Sequence, residues 1–295
     1  MSKKQIIGYF HICQKGDWRK SFDMTFNEIK NSGLYEVTSL IRIGIVNDLG
    51  SVINDERLND PKLKIIFCKP SHEYERPTLL HMRVHAHVDQ KNTCYWYVHS
   101  KGVTHFGKPN ESCIIDWINF LVYWNITKWK IAYSMLEKYD IYGCNAIDKH
   151  MYSGNFWWTN SEHLTKLPVW IDSYYTAPED WICKNTNKMF NIYSCSLIGE
   201  GHYKKNIHRR EYEIPEDFNI HAYHKSNPKL HVLNYEQLIS HFLQWGKYEG
   251  LNYKLPKGFD FDYYRRNKNL HHWNEGDIIW HWYKYGQYEG IKYCD

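Results

Sequence analysis

The chain has 295 residues, of which 43% are hydrophobic and 17% aromatic, so it is too apolar for a disordered chain and long enough for a domain of ~200 residues with a smaller one. Its 37 Lys and Arg residues against 33 Asp and Glu residues give a net charge of +4, which is too dilute to indicate a dedicated nucleic-acid-binding protein. No run approaches the ~18 apolar residues of a membrane span and no signal-peptide core follows Met1, so we expect no membrane span and a cytoplasmic location.

Short apolar runs alternate with helix-like segments over the first half of the chain. Strands are predicted at residues 6–12, 37–46, 63–68, 93–98 and 142–146. Helices are predicted at residues 17–32, 74–88 and 113–136. The alternation predicts an α/β domain with a mainly parallel sheet, in which ligands bind at the carboxyl ends of the strands.

The last part of the chain contains an internal repeat. Residues 223–253 and 263–293 align at an offset of 40, and HFLQWGKYEGLNY in the first copy matches HWYKYGQYEGIKY in the second. A duplication this dense indicates two copies of one small helical unit. We therefore predict a domain at residues 1–222 and two helical repeats at residues 223–295.

A cationic sequence stands where the fourth predicted strand ends. It consists of His99, Ser100, Lys101 and Gly102. The glycine lets backbone N–H groups approach a ligand, and the lysine and histidine would face anionic oxygens. The alternative is an ordinary polar turn that closes a strand.

Two adjacent acids, Glu179 and Asp180, follow Pro178 at a predicted helix start. The helix dipole alone favours acids in a first turn, which is the structural interpretation. The functional interpretation makes Asp180, or else Glu179, a general base that deprotonates an acceptor hydroxyl.

The segment YSGNFWW combines backbone flexibility at Gly154 and Asn155 with the paired rings of Trp157 and Trp158. One ring is expected in the core and the other against a ligand, because aromatic faces stack on sugars and bases.

Other conspicuous patterns have simpler explanations. The Asp260-Phe261-Asp262 triplet is expected to be an element of the repeat, and the histidines at 81, 85 and 87 lack an accompanying carboxylate motif for zinc. The pairs at 204–205 and 209–210 are expected on a solvated face. His202 either closes over a diphosphate or lies in a surface loop.

The order of these motifs carries a resemblance. YFHIC, NSGLYE, YVHSKGVTH, YGCNA, YSGNFWW and PEDW follow one another over about residues 5–225. This series resembles the GT-A type glycosyltransferases of large DNA viruses, and the two C-terminal repeats look like those of giant-virus proteins of this kind.

The resemblance implies a Rossmann-like nucleotide-sugar domain that transfers a glycosyl group to a hydroxyl of a glycan or protein acceptor. The donor would be a nucleoside diphosphate sugar, with a UDP-sugar favoured. As a mechanistic hypothesis, we place its base and ribose near residues 10–12, which include His11, and near residues 45–48. The sequence 99–101 occupies the position of the usual Asp-x-Asp, and the acids at 179 and 180 match the pair that supplies the base in inverting members. Because the Asp-x-Asp is missing, the metal ligands are unknown and a requirement for Mn²⁺ or Mg²⁺ stays open.

Two other functions fit the same residues. A non-catalytic carbohydrate-binding or scaffolding protein would keep the fold and use the repeats to recruit a partner. A glycoside hydrolase, which needs two carboxylates ~5–10 Å apart, fits less well because no acids cluster in the predicted strand-end loops.

Overall fold

The computed structural model describes residues 4–89, 92–148, 150–197 and 199–294. The chain forms two compact units, one up to Glu211 and the other from Tyr212 onward. The division therefore falls before the expected boundary at 222. Phe218 accounts for the difference, because its ring packs against Phe242 of the second unit at a centroid distance of 4.5 Å.

The first unit alternates strands and helices. Its strands are β1 (Ile6–Cys13), β2 (Leu40–Asn47), β3 (Leu63–Pro70), β4 (Cys94–His99), β5 (Ile141–Gly143), β6 (Ala146–Ile147), β7 (Met151–Tyr152), β8 (Trp157–Asn160) and β9 (Met189–Asn191). Its helices are α1 (Trp18–Asn31), α2 (Leu34–Val37), α3 (Arg76–His85), α4 (Glu111–Val122), α5 (Trp129–Met135), α6 (Ser161–Lys166) and α7 (Ala177–Trp181), and α8 (Arg209–Tyr212) crosses the unit boundary. Within the described ranges of the whole chain, no helix is both long and apolar enough to cross a lipid bilayer.

Seven of these strands form one sheet in the order β3-β2-β1-β4-β8-β5-β9. The strands β3, β2, β1 and β4 are parallel, whereas β8 runs antiparallel to both β4 and β5. The expected α/β class with a mainly parallel sheet is confirmed. The carboxyl ends of β1, β2 and β4 consequently meet at one edge of the sheet.

Most predicted elements lie within a few residues of the observed ones. Asp17 caps α1 by accepting a hydrogen bond from the Lys20 backbone N–H over 3.1 Å, as expected. The predicted helix at 113–136 is instead interrupted by a π-helical turn at Tyr123–Thr127. The Asn125 side chain donates to the Leu121 carbonyl over 2.9 Å, and such competition with the helical ladder is a recognised cause of interruption.

Helices cover both faces of the sheet, because successive side chains of a strand point to opposite sides. Tyr9 belongs to a buried cluster with Leu79 and Met82 of α3. The next residue, Phe10, stacks on Phe22 of α1 at 5.2 Å. Inner strands are thus buried on both sides, which explains their continuous apolar sequence.

The second unit is helical. Its helices are α9 (Ile220–Ser226), α10 (Tyr235–His241), α11 (Phe261–Lys268) and α12 (Glu275–His281), with π-helical turns at Phe242–Gly246 and Trp282–Gly286. Asp260 accepts hydrogen bonds from the backbone N–H groups of Asp262 and Tyr263, both over 2.8 Å. The Asp-x-Asp of this unit therefore includes a helix cap, as its position in the repeat suggested.

The two copies of the repeat contain equivalent contacts. The Tyr223 hydroxyl hydrogen-bonds His241 Nδ1 over 2.6 Å, and the Tyr264 hydroxyl hydrogen-bonds His281 Nδ1 over 2.8 Å. These tyrosines are 41 positions apart, whereas the histidines are 40 apart. The uniform offset of 40, which would pair Tyr223 with Tyr263, is therefore wrong in the first helix of each copy.

Candidate active site

A cleft of about 510 Å³ lies at the carboxyl ends of β1, β2 and β4. This is the edge where an α/β sheet is expected to bind its ligand. Its lining includes residues from both strand ends and connecting loops, among them His11, Glu75, His99, Lys101, Tyr175 and Tyr203.

Lys101 supplies a buried positive charge to this cleft. The residue is 8% exposed, and its Nζ lies 3.9 Å from the centroid of the Trp117 ring. Among the described residues, no carboxylate lies within 4 Å of this Nζ and no acceptor takes a hydrogen bond from it. Burial lowers the pKa of the ammonium, opposed by Glu179 and Glu75. An ammonium in this position is suited to receive an anion.

His99 is held by a hydrogen bond at one ring nitrogen and faces Glu75 with the other. Its Nε2 lies 2.9 Å from the Gly154 carbonyl oxygen, and Nδ1 lies 3.7 Å from Oε1 of Glu75. Because a carbonyl oxygen only accepts, Nε2 carries a proton. Burial lowers the pKa of His99, whereas the charge of Glu75 and hydrogen bonds with the backbone of Gly154 and Ser100 raise it. The expectation that His99 adds positive charge beside Lys101 stays a prediction.

Glu75 is a cleft residue that the sequence interpretation missed. Its Oε2 accepts hydrogen bonds from the Tyr97 hydroxyl over 2.7 Å and from Asn155 Nδ2 over 2.6 Å. Burial alone would raise its pKa, but the neighbouring imidazoles, the hydroxyl and Lys101 outweigh burial and hold the pKa below its ordinary value. The cleft therefore contains a carboxylate. Glu75 precedes α3 and its Pro77, and an acid at a helix start has no distinctive sequence signal.

The two acids of α7 have different surroundings. Burial raises the pKa of Glu179 to about 7, although Lys101 and a hydrogen bond with the Gly154 backbone both lower it. Asp180 instead accepts a hydrogen bond from the exposed Tyr174 hydroxyl over 2.6 Å. The structure thus couples Glu179, rather than the preferred candidate Asp180, to the charges of the cleft.

Three expected ligand-binding residues support the walls of the cleft. His11 Nδ1 hydrogen-bonds the Thr78 hydroxyl over 2.8 Å, and burial lowers its pKa to about 4. The Ser100 hydroxyl accepts from the Cys13 backbone N–H over 2.8 Å, which ties β4 to β1. Gly102 has φ 69°, and a Cβ there would lie 2.2 Å from Ile114. All three still line the cleft.

The expectation that Trp157 or Trp158 contacts a ligand is wrong. Both rings are fully buried, because β8 is an inner strand and its two faces are both covered. Trp157 stacks on Tyr97 at 4.9 Å on one face, and Trp158 donates to the Asn125 carbonyl on the other. Gly154 and Asn155 likewise act through Glu179, His99 and Glu75 and are not among the lining residues.

Tyrosines provide the accessible aromatic surface instead. Tyr74, Tyr175 and Tyr203 line the cleft, and Tyr175 is 72% exposed. The Tyr74 and Tyr175 rings meet edge to face at 5.7 Å. Exposed rings at a cleft rim are suited to stack on a base or sugar.

His202 is neither a surface residue nor a ligand contact. Its ring is fully buried and stacks on Trp117 at 4.3 Å, and its Nε2 hydrogen-bonds the Asn145 amide over 2.9 Å. Burial lowers its pKa to about 4. It therefore supports the ring on which Lys101 lies.

A divalent metal such as Mg²⁺ needs several oxygen ligands. Of the carboxylates around the cleft, Glu75 and Glu179 interact with Lys101, and Asp48 forms an ion pair with Lys15. Within the described ranges, no group of three His, Cys, Asp or Glu side chains is placed to hold a metal ion. The rings of His81 and His85, two of the histidines considered above for zinc, stack on each other at a centroid distance of 4.1 Å.

No protein-family model matches the sequence, and no curated protein is significantly similar to it. The chemistry of the cleft is therefore the basis on which a function is inferred.

Proposed function

We propose that the protein is a GT-A type glycosyltransferase, resembling those of large DNA viruses, which moves a sugar from a nucleoside diphosphate sugar to an acceptor hydroxyl. The favoured donor is a UDP-sugar, and the acceptor is a glycan or glycoprotein. The observation that carries the proposal is Lys101, a buried lysine without an acidic partner within 4 Å among the described residues, at the carboxyl end of β4.

In this reaction the bond between the anomeric carbon and the diphosphate oxygen breaks, and negative charge develops on the leaving diphosphate. Lys101 stabilises that charge, and it acts strongly because the site is shielded from water. Glu179 accepts the proton of the acceptor hydroxyl. A base with a pKa of about 7 is matched to this task near neutral pH.

The test is a comparison of Lys101→Met with the wild type. Methionine keeps much of the side-chain volume and removes the charge, so the variant should fold, lose the rise in Tm given by UDP or UDP-sugars, and lose about 10²–10³-fold in kcat. Lys108→Met is the matched control, because Lys108 lies exposed in the same loop. Undiminished UDP binding and transfer by Lys101→Met would reject the phosphate role, and a response to free glycans alone would favour the binding protein.

Glycoside hydrolysis is a second candidate, since Glu75 and Glu179 belong to one electrostatic cluster. This arrangement removes the objection that acids do not gather near the strand ends. Hydrolysis of a neutral glycoside gives Lys101 no anionic leaving group to stabilise. Glycosyl transfer is therefore preferred over hydrolysis as the proposed function. Turnover of aryl glycosides, with UDP-sugars inert, would reverse that order.

A further inference from the structure

The two oxygens of the Glu75 carboxylate have different environments. Oε2 accepts both hydrogen bonds, from Tyr97 and Asn155. Oε1 accepts no hydrogen bond among the described residues, and its nearest imidazole nitrogen, Nδ1 of His99, is 3.7 Å away. One oxygen is thus anchored, while the other keeps its lone pairs in a residue that lines the cleft.

The backbone in front of Glu75 has an uncommon conformation. Tyr74 follows the 3₁₀ turn Ser71–Glu73 with φ 52° and ψ −139°, in the region of positive φ that L-residues rarely adopt. Such conformations persist where the surroundings enforce them, and they are concentrated at functional sites. Here this conformation directs the chain into α3 with Glu75 at the cleft.

Glu75 and Glu179 also differ in ionisation. Charges and a hydrogen bond lower the pKa of Glu75, whereas burial raises that of Glu179 to about 7. Pairs of carboxyl groups whose environments separate their pKa values in this way commonly divide nucleophilic and acid–base roles.

Resting on the proposed glycosyl transfer, we propose that Glu75 is a nucleophile that carries the sugar covalently between donor and acceptor. In the first step, Oε1 attacks the anomeric carbon, a glycosyl ester forms, and the bond to the diphosphate breaks. The electron pair leaves with the diphosphate, beside Lys101. In the second step, the acceptor oxygen attacks the same carbon and the ester bond breaks, which restores the carboxylate.

The proton of the acceptor has a defined destination. The charge of Glu75 raises the pKa of Glu179, and esterification removes that charge. The pKa of Glu179 therefore falls when the intermediate forms, and its carboxylate accepts the acceptor proton in the second step. Two displacements at one carbon give a product with the anomeric configuration of the donor.

The first experiment uses the wild-type chain and therefore does not depend on how a variant folds. UDP-glucose, UDP-galactose and UDP-N-acetylglucosamine are offered with an aryl glycoside acceptor, and the product configuration is determined by NMR. Retention supports the covalent route. Inversion overturns it and leaves glycosyl transfer standing, whereas no turnover and no binding of any donor overturns both proposals.

The second experiment identifies the residue. A 2-fluoro analogue of the accepted donor should slow the second step, so that mass spectrometry finds a glycosyl group on the peptide that contains Glu75. Glu75→Gln should lose at least about 10³-fold in kcat with UDP binding retained, while Glu73→Gln, in the same segment, keeps its activity. Azide should restore turnover to Glu75→Ala and form a glycosyl azide of inverted configuration. If transfer proceeds with retention of configuration but the glycosyl group is found on a residue other than Glu75, the assignment is overturned.

Discussion

The side-chain amide of Asn155 donates a hydrogen bond to Oε2 of Glu75 over 2.6 Å, although the two residues are 80 positions apart in the chain. The other end of the amide is fixed as well, since Asn155 Oδ1 accepts from Trp157 Nε1 over 2.7 Å. Asn155 thus connects the core of β8 with the carboxylate of the cleft. Its backbone has φ 53°, a conformation that asparagine tolerates better than most residues.

Asn155→Ala should therefore destabilise the protein by about 2–4 kcal/mol, because it leaves a buried indole N–H and a carboxylate oxygen with fewer partners and forces alanine into positive φ. Urea denaturation measures the free energy of unfolding. The matched control is Asn92→Ala, at an exposed residue with φ 66°. This variant should lose only the free energy that alanine costs at positive φ. Equal losses in both variants would show that the hydrogen bonds of Asn155 contribute nothing.

The raised pKa of Glu179 predicts a pH-dependent contribution to stability. The folded protein retains a proton that the unfolded chain releases, so this contribution is fully present below pH 4.5 and is lost as the pH rises to about 7. Relative to the wild type, Glu179→Gln should accordingly gain stability over this interval and change little above it. Measurements of the free energy of unfolding from pH 4 to 9 for both proteins isolate the effect.

The groups around Glu179 provide a control for this prediction. Lys101 lowers its pKa, whereas Glu75 and Asp180 raise it. Removing Lys101 should raise the pKa of Glu179 further. In a Lys101→Met background the pH interval over which this stability is lost should therefore extend above pH 7, whereas in a Lys108→Met background it should stay unchanged. A difference between Glu179→Gln and wild type that is flat from pH 4 to 9 contradicts the raised pKa.

Alanine substitutions at two glycines of the loop after β4 distinguish the cost of backbone strain from the cost of a packing clash. Gly102 and Gly107 have φ 69° and 76°, but a Cβ would lie 2.2 Å from Ile114 at the first and meet nothing within 4 Å at the second. Gly107→Ala should cost about 1 kcal/mol, and Gly102→Ala about 1–3 kcal/mol more. Thermal unfolding measures both, and equal costs would contradict the close contact with Ile114.

The exposed ring of Tyr175 predicts a binding defect without a folding defect. Tyr175→Ala should weaken donor binding several-fold, in line with about 1 kcal/mol for an aromatic contact, and leave Tm nearly unchanged. Tyr248→Ala, which removes a ring of similar exposure (74%) in the second unit, should affect neither quantity. Isothermal titration with a UDP-sugar distinguishes the two variants, and an unaltered affinity in Tyr175→Ala would remove this ring from the site.

The parallel strands could be predicted from the sequence, because strands buried on both faces are continuous apolar runs. β1 was expected at residues 6–12 and is found at Ile6–Cys13. β8, at Trp157–Asn160, was not predicted as a strand. One of its two pairing partners, β4, is distant in sequence, and no local pattern specifies that pairing.

A site residue can be predicted from the sequence when it directly follows a strand, because the end of the strand places it at the edge of the sheet. Lys101 is such a residue. Glu75 was missed because its role depends on Tyr97 and Asn155, which reach it only in the folded chain. Trp157 and Trp158 were misassigned for a related reason. Adjacent aromatic residues predict one inward and one outward ring only when the strand has an open face, and the burial of both rings shows that this strand has none.

The reversed direction of β8 determines which residues can share an edge with Lys101. A parallel strand would bring its last residues there, but β8 brings the residues that enter it, Gly154 and Asn155. The short hairpin of β6 and β7 returns the chain to that starting point. Lengthening this hairpin should therefore displace Asn155 from Glu75 while the pairings of the seven-stranded sheet are kept.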